Sequence, residues 1–143
     1  MRRLFFFATF AMAVSPCLVR AADLDSIQGN WICITRYQNN KKVDLSGKNA
    51  TALFERNHLT ISESGNPILH CLVTLDESRS PKKAINTWNL DGKDRDQTFP
   101  GIYKLDEKAG VLEICIGTKG KRPTTFISED GSGDIFLKYK RGQ

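Results

Sequence analysis

The chain is poor in the residues that most chemistry needs. Among 143 residues there are two histidines, four cysteines and two methionines. His58 and His70 stand alone, and no two cysteines fall at the short spacing of a zinc knuckle, so the sequence offers no metal site. No nucleophile has a partner base within obvious reach: Cys71 adjoins His70, but neighbours on a strand point to opposite faces. Asp91, Asp94 and Asp96 do not match the ligand spacing of a helix–loop–helix calcium site, and no glutamate closes the set, so a solvated rim loop is expected there. No cofactor motif is present. Internal repeats, low-complexity stretches, a linker between domains and a ten-residue amphipathic helix are absent too. One domain is expected.

Charge of one sign is also scarce once the leader is set aside. The formal charge is +5, from 21 Lys and Arg against 16 Asp and Glu. Arg2, Arg3 and Arg20 lie in residues 1–21, so residues 22–143 carry 18 basic against 16 acidic side chains. That balance leaves no electrostatic footprint for nucleic acid. Residues 1–21 have the pattern of a cleavable signal helix: Arg2 and Arg3, an apolar run over residues 4–14, and Val19-Arg20-Ala21 as the small-x-small site, with cleavage after Ala21. The run is shorter than the roughly 20 residues a spanning helix needs, so stable membrane insertion is not expected after cleavage. A lipid anchor on Cys17 is the alternative, and Pro16 fits that pattern poorly. The reading places a monomer in the periplasm or outside the cell. Asn49-Ala50-Thr51 is a glycosylation sequon, relevant only in a eukaryotic secretory pathway.

What the chain does have is alternation. Ile102-Tyr103-Lys104-Leu105-Asp106 alternates as a half-buried strand, with Tyr103 and Leu105 inward. A turn with Gly110 free to take a positive φ follows, and residues 111–117 return with Leu112, Ile114 and Ile116 on one face and Val111, Glu113 and Cys115 on the other. Pro123 cannot donate to a ladder and is read as opening a strand over residues 124–128. Further strands are expected over residues 31–37, 51–54, 58–62, 68–75, 134–140 and around Ile85, with residues 22–28 forming a turn of helix before the first. The stretch from Gln38 to Gly47 reads as polar turn. The fold class expected is all-β, an antiparallel eight-stranded up-and-down barrel over residues 22–143, because closure hides the sheet edges. A β-sandwich is the competitor.

Two sets of residues resemble known families. Gly29-x-Trp31 at the start of the first strand is similar to the opening motif of lipocalin-like barrels, where the tryptophan plugs the closed end, often beneath a basic side chain from near the C-terminus. Lys138, Lys140 and Arg141 are the residues available for that cover. Gln28-Gly29-Asn30-Trp31, Ser80-Pro81-Lys82-Lys83-Ala84-Ile85, Pro100-Gly101-Ile102-Tyr103, Leu112-Glu113-Ile114-Cys115 and Arg122-Pro123-Thr124-x-Phe126, in this order, resemble an uncharacterised small domain abundant in planctomycetes and relatives. The resemblance spans nearly all of residues 22–143. It implies export and a lipocalin-like barrel, and it brings no reaction, cofactor or catalytic residue.

Gly29, Trp31, Tyr103 and Pro123 are the expected structural residues. Glu113, Cys115 and Arg122 are the candidates for binding. Arg122 or Lys121 would have to lower the Cys115 pKa for that thiol to react, and Glu113, if it faced the lumen, would need Arg122 as partner. Cys33, Cys71 and Cys115 permit three single pairings, or none. The functions open at this point are a non-enzymatic module that binds a small apolar ligand or docks an envelope protein, a protease inhibitor or regulator acting through residues 22–28 or its loops, and an enzyme using Cys115. The basic turn Lys119-Gly120-Lys121-Arg122 is a solvated turn or a weak anionic docking point.

Overall fold

Alternating inward and outward side chains give this chain a sheet with one dry face, and a dry face has to be covered. In the computed structural model, which describes residues 22–143, the sheet covers it by closing on itself. A short helix, α1 (Ala22–Ser26), precedes nine strands: β1 (Gly29–Gln38), β2 (Lys41–Lys42), β3 (Thr51–Glu55), β4 (His58–Glu63), β5 (Asn66–Asp76), β6 (Lys83–Asn89), β7 (Thr98–Asp106), β8 (Val111–Gly117) and β9 (Asp134–Arg141). All neighbours pair antiparallel. The order is β1-β3-β4-β5-β6-β7-β8-β9, and β9 returns to β1 to make an eight-stranded barrel, with β2 as an extra rung on β1. The signal helix expected over residues 1–21 lies outside the described residues.

The inner rows are the apolar ones. Trp31, Phe54, Leu59, Val73, Ile85, Tyr103, Leu112, Ile114 and Tyr139 belong to one buried cluster. Val73, Ile85 and Leu112 are each 1 % exposed, and burying an aliphatic side chain of this kind is worth about 1.5–3 kcal/mol. The β7–β8 hairpin forms as its sequence dictates, with Gly110 at φ 63° in the turn and Tyr103 opposite Ile114.

The two ends of the barrel differ. At one, α1 is clamped down as a lid. Ile27 is buried, and Trp31 Nε1 donates to its carbonyl at 2.7 Å. Arg141 lies over the Trp31 ring, 4.2 Å from the centroid, and donates to the carbonyls of Gln28 at 2.8 Å and of Ser26. Gln28 Nε2 donates to the carbonyl of Arg56 in the β3–β4 turn, and its Oε1 accepts from the Arg56 amide. At the other end stand the longer connections: residues 39–50, 90–97 and 118–133.

Residues 118–133 do not add a strand. β8 pairs directly with β9, so the closed ring offers no edge to residues 124–128, which run as irregular chain. They form part of a strap against the outside of the barrel. Arg122 donates to the carbonyls of Ile85, at 3.0 Å, and Gly101, and to Asn86 Oδ1 at 2.7 Å. The Asn40 amide donates to the carbonyl of Ser128 at 2.7 Å. The outward row Ala84, Ile102 and Cys115, paired across β6, β7 and β8, is buried as a result. Pro123 is buried within the strap rather than opening a strand.

Candidate functional site

The barrel is not filled. A cavity of about 450 Å³ occupies its interior, a size within the range of small-molecule sites. Its wall is mainly aliphatic, with Leu59, Ile61, Ile85, Ile114, Ile116 and Leu137 among the lining residues. Ile68 lines it too and is 52 % exposed, and Asp94 and Gln97 come from the β6–β7 loop, so the mouth lies at the end away from Trp31.

A small set of polar side chains interrupts the aliphatic wall. Arg36 owes its place there to a bulge. Along β1, Trp31 and Cys33 face inward opposite Arg141 and Tyr139, but the register slips between Cys33 and Thr35. One extra residue flips every side chain beyond it to the other face. Arg36 then pairs with Leu137 and Gln38 with Ile135, both on the inner rows of β9. Strict alternation from Trp31 would have put Thr35 and Tyr37 inside instead.

The guanidinium of Arg36 is incompletely served. Its Nη2 reaches Gln38 Oε1 at 3.3 Å, and its Nη1 lies 4.0 Å from Glu63, which matches the charge without a short hydrogen bond. Nε is buried and has no hydrogen-bond partner among the described residues. A buried donor left in this state costs roughly 1–3 kcal/mol. Thr87 and Asn89, both buried, line the cavity from β6, which lies across the ring from β1 in the strand order. Tyr139 is deep in the site. Burial raises its phenol well above the usual range, so it is neutral at physiological pH.

The binding candidates named from sequence stand elsewhere, and none lines the cavity. Glu113 is on the outer face of β8, 3.0 Å from Lys138 of β9. Cys115 is fully buried beneath the strap, where burial, with a smaller effect from Asp134, pushes its thiol up to about 12. Arg122 spends its guanidinium on carbonyls and Asn86 and does not pair with Glu113. Cys33 and Cys71 are buried and face the lumen, and all three cysteines are free thiols. Burial raises the Cys33 thiol and takes Cys71 to about 12. Gly29, Trp31 and Tyr103 sit at or near the closed end.

A second polar group seals that end. Asp23 is buried, and its Oδ2 accepts from Lys83 Nζ at 2.7 Å and from Tyr103 OH at 2.8 Å. Burial works to raise its pKa, but the hydrogen bonds from Lys83 and Tyr103 outweigh this and leave it below the usual carboxylate value. Glu77 accepts from the amides of Ala22 and Asp23 at 3.0 and 2.6 Å. Residues 22–28 are thus seated on the barrel rather than projecting from it.

Among the described residues no group of three His, Cys, Asp or Glu side chains could hold a metal ion, and no helix is long and apolar enough to cross a membrane. No protein-family model, curated protein or solved structure matches this chain.

Proposed function

We propose that this chain is an exported, non-enzymatic binding module that takes a small, mainly apolar molecule into its interior. The observation that carries the reading is the 450 Å³ cavity, walled by aliphatic side chains, shut at the Trp31 end and entered from the loop end. Lining of this kind removes apolar ligand surface from water at about 25 cal/mol per Å², while a few fixed polar groups set orientation. The free thiols nearest the cavity are held protonated, which suits holding a ligand better than attacking one. The leader pattern of residues 1–21 supports action in the periplasm or outside the cell, and the loops at the mouth are the natural place for an envelope partner.

The test is displacement of N-phenyl-1-naphthylamine, a neutral apolar dye, from the purified protein, with native mass spectrometry for stoichiometry. The reading expects saturable one-to-one binding that Ile116→Trp, which fills the lumen, abolishes in a protein with unchanged circular dichroism. Dye binding that survives this substitution, or no binding at all, contradicts it.

A further inference from the structure

The nitrogen atom that leader cleavage frees is already held by a carboxylate. This step rests on the export part of the reading above and not on the cavity. Val19-Arg20-Ala21 is the small-x-small pattern. Cutting after it hydrolyses the Ala21–Ala22 peptide bond: water adds across the bond, Ala21 leaves as a carboxylate, and Ala22 keeps its nitrogen as an α-ammonium. In the folded chain that nitrogen lies 3.0 Å from Glu77 Oε2, and the nitrogen of Asp23 lies 2.6 Å from Glu77 Oε1. The cleavage pattern and the contact are independent observations, and they meet on one atom.

The surroundings favour a cation there. Asp23, Glu77 and Glu107 gather at this end of the barrel, Glu107 accepting from Ser26 Oγ at 2.9 Å, and Asp25 shares the turn of α1. Lys83 Nζ is committed to Asp23 at 2.7 Å, and Tyr103 donates to the same oxygen. Arg141 is turned to Trp31 and to the carbonyls of Ser26 and Gln28. Among the described residues no Lys, Arg or His side chain forms an ion pair with Glu77. An ammonium on Ala22 sets opposite charges at hydrogen-bond distance, where the uncut peptide offers Glu77 only an uncharged N–H.

We infer that Glu77 is the acceptor for the α-amine of the cleaved chain, so that leader removal supplies the charge that fastens α1 to the closed end. Ala22 is exposed, so solvent screens the pair and its contribution to stability is modest. Its signature is a titration. A neighbouring carboxylate favours the ammonium form and lifts an α-amine above its ordinary value of about 7.7–8.0. The contribution is present below that value and is lost as pH rises through the folded one.

The experiment expresses the full chain with its leader in a bacterial host, reads the first residue of the exported protein by intact mass, and follows the ¹³C shift of the Ala22 methyl as pH is raised through the amine titration. Ala22 is expected to be first, and its midpoint is expected to lie at least about 0.5 pH unit higher than in Glu77→Gln. Glu107→Gln, which removes a carboxylate from the same end without touching the pair, is expected to move the midpoint less than half as far. Raising NaCl to about 1 M is expected to lower the midpoint of the unaltered protein, a readout that stands even if Glu77→Gln does not fold. Equal midpoints with and without the Glu77 charge, an equal shift from Glu107→Gln, or a midpoint unmoved by salt overturns the inference while leaving cleavage after Ala21 intact. A first residue other than Ala22 overturns that cleavage and the inference with it.

Discussion

The guanidinium of Arg141 lies over the Trp31 ring, its Cζ 4.2 Å from the centroid. The two residues pair directly across the β1–β9 seam that closes the barrel. One arginine therefore joins the first strand to the last, covers the plug and satisfies carbonyls of the helical lid. Arg141→Met removes the cation–π contact and both hydrogen bonds. The expected loss is about 1–3 kcal/mol in urea unfolding. Arg141→Lys recovers less than half, because an ammonium cannot lie over the ring and reach two carbonyls as a planar fork does. Equal stability of all three proteins would show that the seam does not depend on this residue.

Asp23 predicts how stability follows pH. Its folded pKa lies below the unfolded value of about 3.8, because the hydrogen bonds from Lys83 and Tyr103 outweigh burial. Its contribution is therefore present above that value and is lost as pH falls through the folded pKa. Lys83 is shifted the other way, upward, chiefly by its hydrogen bond to Asp23. Burial, then Asp23, raises Tyr103. These two contribute below about 10.5 and 10, and the contribution is lost as pH rises through the folded values. Lys83 is partly exposed, so its share is small. Asp23→Asn is expected to cost about 1–3 kcal/mol at pH 7 and to flatten both limbs of the curve. Denaturant midpoints measured from pH 2 to 6 and 9 to 12 check this. Unchanged limbs in the variant would assign the pH dependence to other groups.

The strap predicts which thiol can be uncovered. Cys71 and Cys115, both near 12, are expected to resist alkylation by iodoacetamide at pH 8 in the native protein and to react in guanidinium. A Cβ added at Gly117 would overlap the carbonyl oxygen of Lys121 and press within 3.2 Å of Pro123 Cδ. Gly117→Ala is therefore expected to displace the strap and speed labelling of Cys115 more than tenfold, with Cys71, inside the barrel, unaffected. Peptide mapping by mass spectrometry separates the two. Parallel acceleration of both would indicate general loosening instead.

How much of this was legible in the sequence differs from element to element. The β7–β8 hairpin was, since alternation, a glycine at the turn and an inward Tyr103 all pointed the same way. The plug at Trp31 was, and Arg141 is the basic residue that covers it among the three that lay near enough in sequence. The strap was not. Thr124-Thr125-Phe126-Ile127-Ser128 has strand-like composition, and only the direct pairing of β8 with β9 shows that no ladder position exists for it. The apolar outward face at Cys115 was ambiguous for the same reason, since local pattern cannot tell a lumen from a covered exterior. The extra rung at Lys41–Lys42 is made by backbone groups that polar side chains do not advertise. Arg36 was the costliest omission. A bulge needs one residue too many between two paired positions, and that count depends on β9, about a hundred residues away. The nearest local sign is Ile32 and Ile34, apolar side chains that stand 47 and 46 % exposed on the outer face.

Whether the interior is open to a ligand can be measured directly, and isoleucine placement supplies a built-in control. Ile61, Ile68, Ile85, Ile114, Ile116 and Ile135 line the cavity, whereas Ile32, Ile34 and Ile127 are exposed large hydrophobics outside it. The direct measurement is a ¹³C-methyl NMR titration of isoleucine-labelled protein with decanamide. Shifts confined to the six isoleucines that line the cavity, saturating at one equivalent, are the result predicted. Shifts at Ile32, Ile34 or Ile127 with the interior set silent, or no shift anywhere, would contradict it.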